Sequence, residues 1–412
     1  MLKLNIASET ARLEAVIIHQ PGPEVENMTP ATAERALYSD ILNLSIASRE
    51  YSQFEEVLKL FSHVYEVKDL LAKTLTVDEA KESLIGALSA YISDEMLIRQ
   101  LNALTNEELC RQVLEGVPLN HKTLTNFLSK NRYFISPLHN IFFTRDASFV
   151  IGNTVFIGSM AKKIREPETI LMETLFKYYP EFSCNVVHLT GQTAGNELHT
   201  IEGGDILVLN EDTLIIGIGT RSSAAGVDHL IQELVKHAPL KHVLIQELPD
   251  EPESFIHLDM VFTLLSQDEC MVYEPLILGE NRYHTVLMHI EDKKIKEISY
   301  VDNLIEGLHS IGADLKPITC GGARPILQER EQWHSGANFL ALEHSKLIGY
   351  FRNVHTAEEL AKNGYKVITA MEIINDRRLY DEYRKILITF DGSELSRGGG
   401  GARCMTMPLL RK

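Results

Sequence analysis

Cysteine is scarce in this 412-residue chain, and its five cysteines are scattered along the sequence. Their number is odd and no two are spaced as C-x-x-C, which argues against a disulfide framework and against a zinc site. No apolar run approaches the roughly eighteen residues that a membrane-spanning helix needs. Glu9 and Glu14 lie where a secretory signal requires an uninterrupted apolar segment. We therefore expect a cytoplasmic protein that has no membrane partner.

Basic residues are also few, with 40 Lys and Arg against 57 Asp and Glu and a formal net charge of −17. Nucleic-acid binding requires clustered Lys and Arg, so this balance argues against a nucleic-acid partner and is compatible with a cationic substrate. The apolar content of 44% is ordinary for a globular protein. The length allows two or three domains.

A repeated pattern occupies most of the chain. Four segments open with a polar residue and continue as strand, polar turn and strand, beginning at Asp146, Asp205, Asp259 and Asn338. Helical segments follow at 166–179, 222–237, 299–311 and 355–363, and short strands follow at positions such as 185–189, 242–246 and 365–369. The N-terminal part fits less fully, with a strand at 13–19, a long helix from near Pro30 and a strand at 64–67. Five ββαβ units predict an α/β fold with radial repetition, a five-bladed pseudo-symmetric propeller.

Residues 70–130 interrupt this pattern with continuous helical periodicity. Two S/T-x-x-E capping boxes are predicted there, at Thr76 and Thr105. We predict an inserted helical domain at 70–130 and a catalytic domain formed by 1–69 and 131–412. The apolar stripes of the insertion are typical of a bundle core, and we expect it to contribute no residue to the chemistry.

The glycine run Gly398–Gly401 cannot serve core packing, because glycine has no side chain to bury and costs entropy to order. Such a loop suits close approach of the backbone to a ligand. Cys404 follows it, and the neighbouring Arg403 is expected to favour the thiolate, so the segment predicts a nucleophile.

Three polar motifs lie at strand starts: Asn140–Asp146, Glu202–Asp205 and His257–Asp259. Radial repetition would bring them to one centre opposite Cys404. Several carboxylates without metal-ligand spacing predict an organic cation and no metal. Guanidinium fits best, since its five donors pair with carboxylates in bidentate fashion.

The motifs F-T-R-D, E-G-G-D, H-L-D and the glycine-rich R-C-M, in this order, resemble those of the arginine deiminases, which are guanidine-modifying enzymes of the pentein superfamily. The resemblance runs essentially end to end and includes the helical insertion. It implies a pentein fold of five α/β blades, hydrolysis of free L-arginine to L-citrulline and ammonia, and no cofactor. We also expect a homo-oligomer.

The resemblance further implies roles for individual residues. Cys404 would attack the guanidinium carbon and form an amidino-cysteine, and His257 would act as general acid and then base. Asp146 and Asp259 would clamp the guanidinium, and Glu202 would orient His257. Asp205 would support Glu202 and the arginines.

Other positions match residues that hold the rest of the substrate. Asn140, Arg165 and Arg221 would bind the α-carboxylate, and Phe143 would pack on the aliphatic stem. Arg403 is a further substrate-binding candidate, with Arg397 as the alternative at the other side of the loop. Because two arginines without an anion would be unpaired, we expect agmatine to be rejected by about 10⁴-fold.

Other functions remain open from the sequence. An amidinotransferase or a methylarginine hydrolase would use a similar site, and a pentein without activity would serve as a binding protein or scaffold. A cysteine peptidase needs a Cys–His pair but gives no reason for four converging carboxylates.

Overall fold

Among the residues that the computed structural model describes, the strands form five β-sheets of three or more strands. The structure describes residues 1–30, 32–33, 38–91, 95–119, 123–129, 132–191, 199–280 and 283–412. Helices and sheets alternate along the chain, so the architecture is mixed α/β as predicted. No helix in these ranges is long and apolar enough to cross a membrane.

The first sheet joins the two ends of the chain. Its central strand, Leu13–Ile18, pairs with the strand His63–Glu66 in parallel and with the C-terminal strand, Met407–Arg411, in antiparallel orientation. Pro30 and residues 32–33 are helical, in line with the predicted start, but the long helix itself begins only at Leu44, where the Asn43 side chain caps it, and it ends at Phe61. Residues 31 and 34–37 of that prediction lie outside the described ranges.

The second and third sheets follow the predicted ββαβ order. In the second, the strands Ser148–Ile151 and Thr154–Ile157 form a hairpin, and helix Glu166–Tyr178 leads to the strand Asn185–His188, which is parallel to Thr154–Ile157. The third sheet has the same order, with strands Ile206–Asn210, Thr213–Ile218 and His242–Glu247 and the helix Ala224–Leu234.

A further hairpin, formed by the strands Thr285–Glu291 and Lys294–Val301, extends the third sheet to five strands. The predicted helix 299–311 is therefore wrong at its start, since 299–301 are strand and the helix is Leu304–Ser310. Asp292 and Lys293 adopt positive φ angles of 51° and 61° in the turn. These conformations match the right-handed twist of the strands.

The fourth and fifth sheets complete the set. The fourth consists of Phe262–Leu264, Glu269–Val272 and Lys316–Thr319. In the fifth, the hairpin Leu340–Glu343 and Lys346–Tyr350 is followed by helix Val354–Lys362 and strand Lys366–Thr369. A later strand, Ile386–Phe390, lies between that strand and the hairpin, because it is buried throughout and takes the central place.

Helices dominate the stretch predicted as an insertion: Val67–Thr74, Asp78–Leu88, Glu95–Ala103, Asn106–Glu115 and Leu124–Leu128. The capping box at Thr105 is confirmed. The box at Thr76 is wrong, since Val77 is the N-cap and the Thr76 hydroxyl donates to the Lys73 carbonyl. Apolar side chains of these helices join a core that continues into the first three sheets.

The remaining elements are short. In the described ranges they include the helices Pro23–Glu26, Glu274–Ile277, Pro325–Trp333, Ala370–Asn375 and Leu379–Glu382, and the strands Leu2–Lys3, Val117–Pro118, Tyr133–Ile135 and Phe182–Ser183.

Candidate active site

A small buried cavity of about 20 Å³ lies where the predicted motifs meet. This volume is about enough for one water molecule. Of the ten predicted catalytic and substrate-binding residues, seven line it: Asn140, Phe143, Asp146, Arg165, Arg221, His257 and Cys404. Ile256 and Gly398–Gly400 complete the wall.

Short turns before strands carry these side chains. Asp146 precedes the strand that begins at Ser148, and single 3₁₀ turns at Gly203–Asp205 and Leu258–Met260 precede two other inner strands. A third 3₁₀ turn, Leu395–Gly398, leads into the glycine loop. A turn that directly precedes a strand holds its side chains at the edge of the sheet. Such turns from three sheets meet at this cavity.

Cys404 is buried, and its sulfur lies 3.5 Å from Oδ2 and 3.7 Å from Oδ1 of Asp259. Burial raises the pKa of the Cys404 thiol well above its usual range, and the charges of Asp259 and Asp146 add to this effect. Arg403 does favour the thiolate, as predicted, but it lowers this pKa less than those carboxylates raise it.

Arg403 does not line the cavity. Its guanidinium donates to Asp259 at 2.8 Å and to Glu9 at 3.0 and 3.2 Å, and its side chain is almost fully buried. Arg397, the alternative, pairs with Asp40 and Glu394 on the outer side of the loop. The structure thus places neither arginine against the cavity, and it gives Arg403 the position of a support for Asp259.

His257 stands between two carboxylates. Its Nε2 lies 2.9 Å from Oε2 of Glu202, and its Nδ1 lies 3.6 Å from Oδ1 of Asp146. Burial acts to lower the pKa of His257, but Asp146, Asp205 and Glu202 together raise it to about 9. The imidazole is therefore a cation at neutral pH and holds a proton that it can donate.

Glu202 is buried, yet it remains ionised. Burial acts to raise its pKa, but Arg221, 3.2 Å from Oε2, together with His257 and Arg165 lowers it to about 2. Its other oxygen accepts the backbone N–H of Ala161 at 3.0 Å. Glu202 is thus oriented by contacts on both oxygens while it orients His257.

Asp205 holds the turn that carries His257 and Asp259, because its Oδ1 accepts the Leu258 N–H at 2.8 Å. Burial raises the pKa of Asp205 to about 7. The family resemblance implies that Asp205 supports Glu202 and the arginines, whereas the direct hydrogen bond of its side chain goes to the turn backbone.

Arg165 and Arg221 are paired with carboxylates of the site. Arg165 donates to Asp146 at 2.7 Å and to Glu168 at 2.7 and 3.1 Å, and Arg221 donates to Glu202. The premise that these arginines would be unpaired without a substrate is therefore wrong. The Arg165 guanidinium is paired with the carboxylate of Asp146, and this carboxylate is the predicted partner of the substrate's guanidinium.

Two residues of the site were missed by the sequence-based prediction. Asn338 contacts the Cys404 sulfur through Nδ2 at 3.1 Å, and Glu9 binds Arg403 from the N-terminal segment. Asn338 opens a hairpin repeat as the three aspartates do, so its position was a usable signal. Glu9 has no such signal, because only the pairing of the two chain ends brings it close.

One ligand atom each from Asp146, Glu202 and His257 lie within 4.8 Å of one another, close enough for a metal ion to bridge. The carboxylates already have cationic partners in Arg165 and Arg221. A metal ion would have to compete with these guanidinium groups, so the donor set does not favour one.

The chain was compared with known proteins. A family model described as arginine deiminase matches residues 34–411. The arginine deiminase of Listeria welshimeri is 33% identical over 430 residues, covering 99% of this chain and 98% of the relative.

Solved structures with the same fold are more distant. SxtG, an amidinotransferase from Microseira wollei, has a TM-score of 0.54 at 14% identity and is covered to 98%, with 100% of this chain aligned. The N-terminal domain of ArgZ, an arginine dihydrolase from cyanobacteria, has a TM-score of 0.52 at 14% identity, with 96% of this chain and 97% of that one aligned. The family match and the full-length relative show that this chain belongs to the arginine deiminase family.

Proposed function

We propose that the protein hydrolyses free L-arginine to L-citrulline and ammonia. One observation carries the proposal: a buried thiol, a protonated imidazole and the carboxylate of Asp146 line the same cavity, with Asp259 against the sulfur. The relatives named arginine deiminase support the same reaction.

The guanidinium of the substrate lies between Asp146 and Asp259, close to the Cys404 sulfur. To bind there, it displaces the Arg165 guanidinium from Asp146, and Arg165 keeps its pair with Glu168. Arg165, Arg221 and Asn140 then hold the α-carboxylate, while Phe143 contacts the aliphatic stem. The cavity has to widen, because its present volume of about 20 Å³ does not hold an amino acid.

The substrate also activates the nucleophile. Asp259 and Asp146 raise the pKa of the Cys404 thiol, and a bound cation that pairs with both carboxylates removes this effect. The thiol releases its proton to solvent as the cation binds, and the thiolate then attacks the guanidinium carbon and forms a C–S bond. His257 gives its proton to the departing nitrogen, the C–N bond breaks, and ammonia leaves.

Water completes the reaction. It attacks the carbon of the amidino-cysteine while His257 takes up its proton, and cleavage of the C–S bond returns the thiolate. The products are citrulline and ammonia, with one water consumed. Glu202 keeps the imidazole oriented and stabilises its cationic form in both halves.

We also propose that the five sheets are blades around one axis, with the catalytic domain formed by 1–69 and 131–412 and the helical domain by 70–130. The five cysteines that are free in the structure are in keeping with a cytoplasmic protein. We further propose that the protein forms a homo-oligomer, and its molar mass in solution, measured by light scattering, tests this.

Product analysis tests the function. The purified protein is incubated with L-arginine, and citrulline, ammonia and ornithine are measured. Citrulline and ammonia in equal amounts support the proposal. Ornithine formed only when an amine acceptor is added identifies an amidinotransferase, and turnover of methylarginine in preference to arginine identifies a methylarginine hydrolase. No product from any of these substrates contradicts an enzymatic role.

A further inference from the structure

Among the side chains that contact the Cys404 sulfur, that of Asn338 lies closer than that of Asp259, which the motifs predicted. It is buried just before the strand Leu340–Glu343. Its Nδ2 lies 3.1 Å from the Cys404 sulfur and 3.1 Å from the Asp259 carbonyl oxygen. Its Oδ1 accepts the backbone N–H groups of Arg403 at 2.9 Å and Cys404 at 3.2 Å.

These contacts determine which way the amide faces. Two backbone N–H groups require an acceptor, so the carbonyl oxygen of Asn338 points towards the 403–404 backbone. The NH₂ group then points towards the sulfur and the Asp259 carbonyl oxygen, both of which accept hydrogen bonds. If the amide were reversed, its NH₂ group would face the two backbone N–H donors. Its carbonyl oxygen would then face two acceptors, the sulfur and the Asp259 carbonyl oxygen.

The glycine loop is shaped to this side chain. A Cβ added at Gly401 would lie 2.7 Å from Oδ1 and 2.8 Å from Cβ of Asn338. Any side chain at position 401 would therefore push Asn338 away from the 403–404 backbone. The last glycine of the run is needed for the amide to reach Cys404.

The sulfur needs a donor of this kind. Burial, Asp259 and Asp146 all raise the pKa of the Cys404 thiol, while the guanidinium of Arg403 is engaged by Glu9 and Asp259. An N–H directed at sulfur stabilises the thiolate, which accepts hydrogen bonds, over the thiol. Asn338 is the side-chain amide that supplies one.

We propose that Asn338 is a catalytic residue that stabilises the Cys404 thiolate by N–H donation and orients it through the 403–404 backbone. This role rests on the proposed arginine hydrolysis for its effect on turnover. Its effect on the thiol itself does not depend on which substrate the enzyme uses.

Two substitutions separate the two parts of the role. Asn338→Asp keeps the acceptor for the backbone N–H groups but replaces the donor by a carboxylate. Asn338→Ala removes both. The exposed turn residue Asn153 provides the matched control, Asn153→Asp. Thermal unfolding is measured for each variant to identify any loss of fold.

The measurement is the pH dependence of iodoacetamide alkylation at Cys404, followed by peptide mass spectrometry, together with kcat for arginine. We expect the alkylation midpoint to rise in the order wild type, Asn338→Ala, Asn338→Asp. We expect kcat to fall by about 10- to 100-fold in both variants, which is the effect of losing a hydrogen bond to a charged group.

An alkylation midpoint in Asn338→Asp that coincides with wild type would overturn the proposal, even if kcat falls. A kcat in both variants within about twofold of wild type would overturn it as well. A shifted midpoint in a protein that does not hydrolyse arginine would instead refute the proposed function and leave the role of Asn338 on the thiol supported. If Asn338→Ala does not fold, the alkylation midpoint and kcat of Asn338→Asp alone test the proposal.

Discussion

Cys404 is placed where its thiol resists ionisation until a cation arrives. The carboxylates of Asp259 and Asp146 raise its pKa, and burial adds to the effect. In the free protein the thiol is therefore protonated at neutral pH. This arrangement limits adventitious alkylation or oxidation of the nucleophile, because the thiolate is the reactive form.

Replacing the nucleophile tests the assignment directly. We expect Cys404→Ser to fold normally but to lose turnover by more than about 10⁴-fold, because a serine hydroxyl here lacks a base strong enough to ionise it. Mass spectrometry of wild-type protein quenched during turnover should show an amidino adduct on Cys404. An adduct on Cys110, Cys184, Cys270 or Cys320 would contradict the assignment.

The proton on His257 predicts an alkaline limit of activity. The pKa of His257 in the free protein is about 9, so the general acid is present below that pH and is lost as pH rises through it. We expect kcat/KM to decline above about pH 9 and His257→Ala to lose about 10²- to 10⁴-fold in kcat. A variant that keeps more than about a tenth of wild-type activity would show that His257 is not the general acid.

Discrimination between arginine and agmatine follows from the pairing of Arg165 and Arg221. With substrate bound, Arg165 keeps its pair with Glu168 and Arg221 keeps its pair with Glu202, so a substrate without an α-carboxylate does not leave either arginine unpaired. We expect kcat/KM for agmatine to be lower than for arginine by about 10- to 100-fold, the effect of losing charged hydrogen bonds. The ratio should decrease in Arg165→Leu. A ratio near 10⁴ in the wild type would mean that the pairs with Glu168 and Glu202 also break when substrate binds.

The 3₁₀ turns that carry the site are held by close backbone packing rather than by long elements. Gly203–Asp205 lies directly against the turn that carries His257, and Asp205 accepts the Leu258 N–H of that turn. A Cβ added at Gly204 would lie 2.5 Å from Nδ1 of His257 and 3.0 Å from Oδ1 of Asp146. The second glycine of E-G-G-D is therefore required by the imidazole and not by a turn conformation.

A single methyl group tests this packing. We expect Gly204→Ala to displace His257 and to lower kcat by about 100-fold or more, since misplacement of a catalytic group by about 1 Å has that effect. The matched control is Gly86→Ala in the helix Asp78–Leu88, where an added Cβ meets nothing within 4 Å. The control should keep full activity and gain about 0.5–1 kcal/mol of stability. Equal activity in both variants would refute the packing argument.

The two ends of the chain contact each other. The strand Leu13–Ile18 pairs with the C-terminal strand beside Cys404, and Glu9 of the N-terminal segment binds Arg403. A second charged cluster lies at the end of the strand Leu13–Ile18, where His19 contacts Glu66 at 2.6 Å and Glu24 at 3.4 Å. His19 thereby links the end of this strand to the strand His63–Glu66 and to the helix Pro23–Glu26.

This cluster predicts how stability depends on pH. Burial acts to lower the pKa of His19, but Glu66 and Glu24 raise it to about 10, above its value of 6.5 when unfolded. The stabilisation is therefore complete below about pH 6.5 and is lost as pH rises to 10. We expect the free energy of unfolding of wild type to approach that of His19→Gln over this interval, measured by urea unfolding. A difference between the two proteins that stays constant from pH 6 to pH 10 would contradict the prediction.

The chain sequence by itself determined the ββαβ order of most units, the helical stretch and the residues of the four motifs. These features depend on local periodicity and on residue types at strand starts, which neighbouring residues determine. The hairpin Thr285–Val301 was missed because its second strand lies at a sheet edge with mostly exposed residues, so its pattern was weak.

Only the tertiary structure decided which partner each charged group has. Arg165 pairs with Asp146, Arg403 pairs with Glu9, and Asn338 faces the Cys404 sulfur. These pairs join residues up to 394 positions apart. Motif spacing brings residues to the same site, but the direction of a buried side chain depends on the packing and on the nearest opposite charge, and neither is encoded in the local sequence.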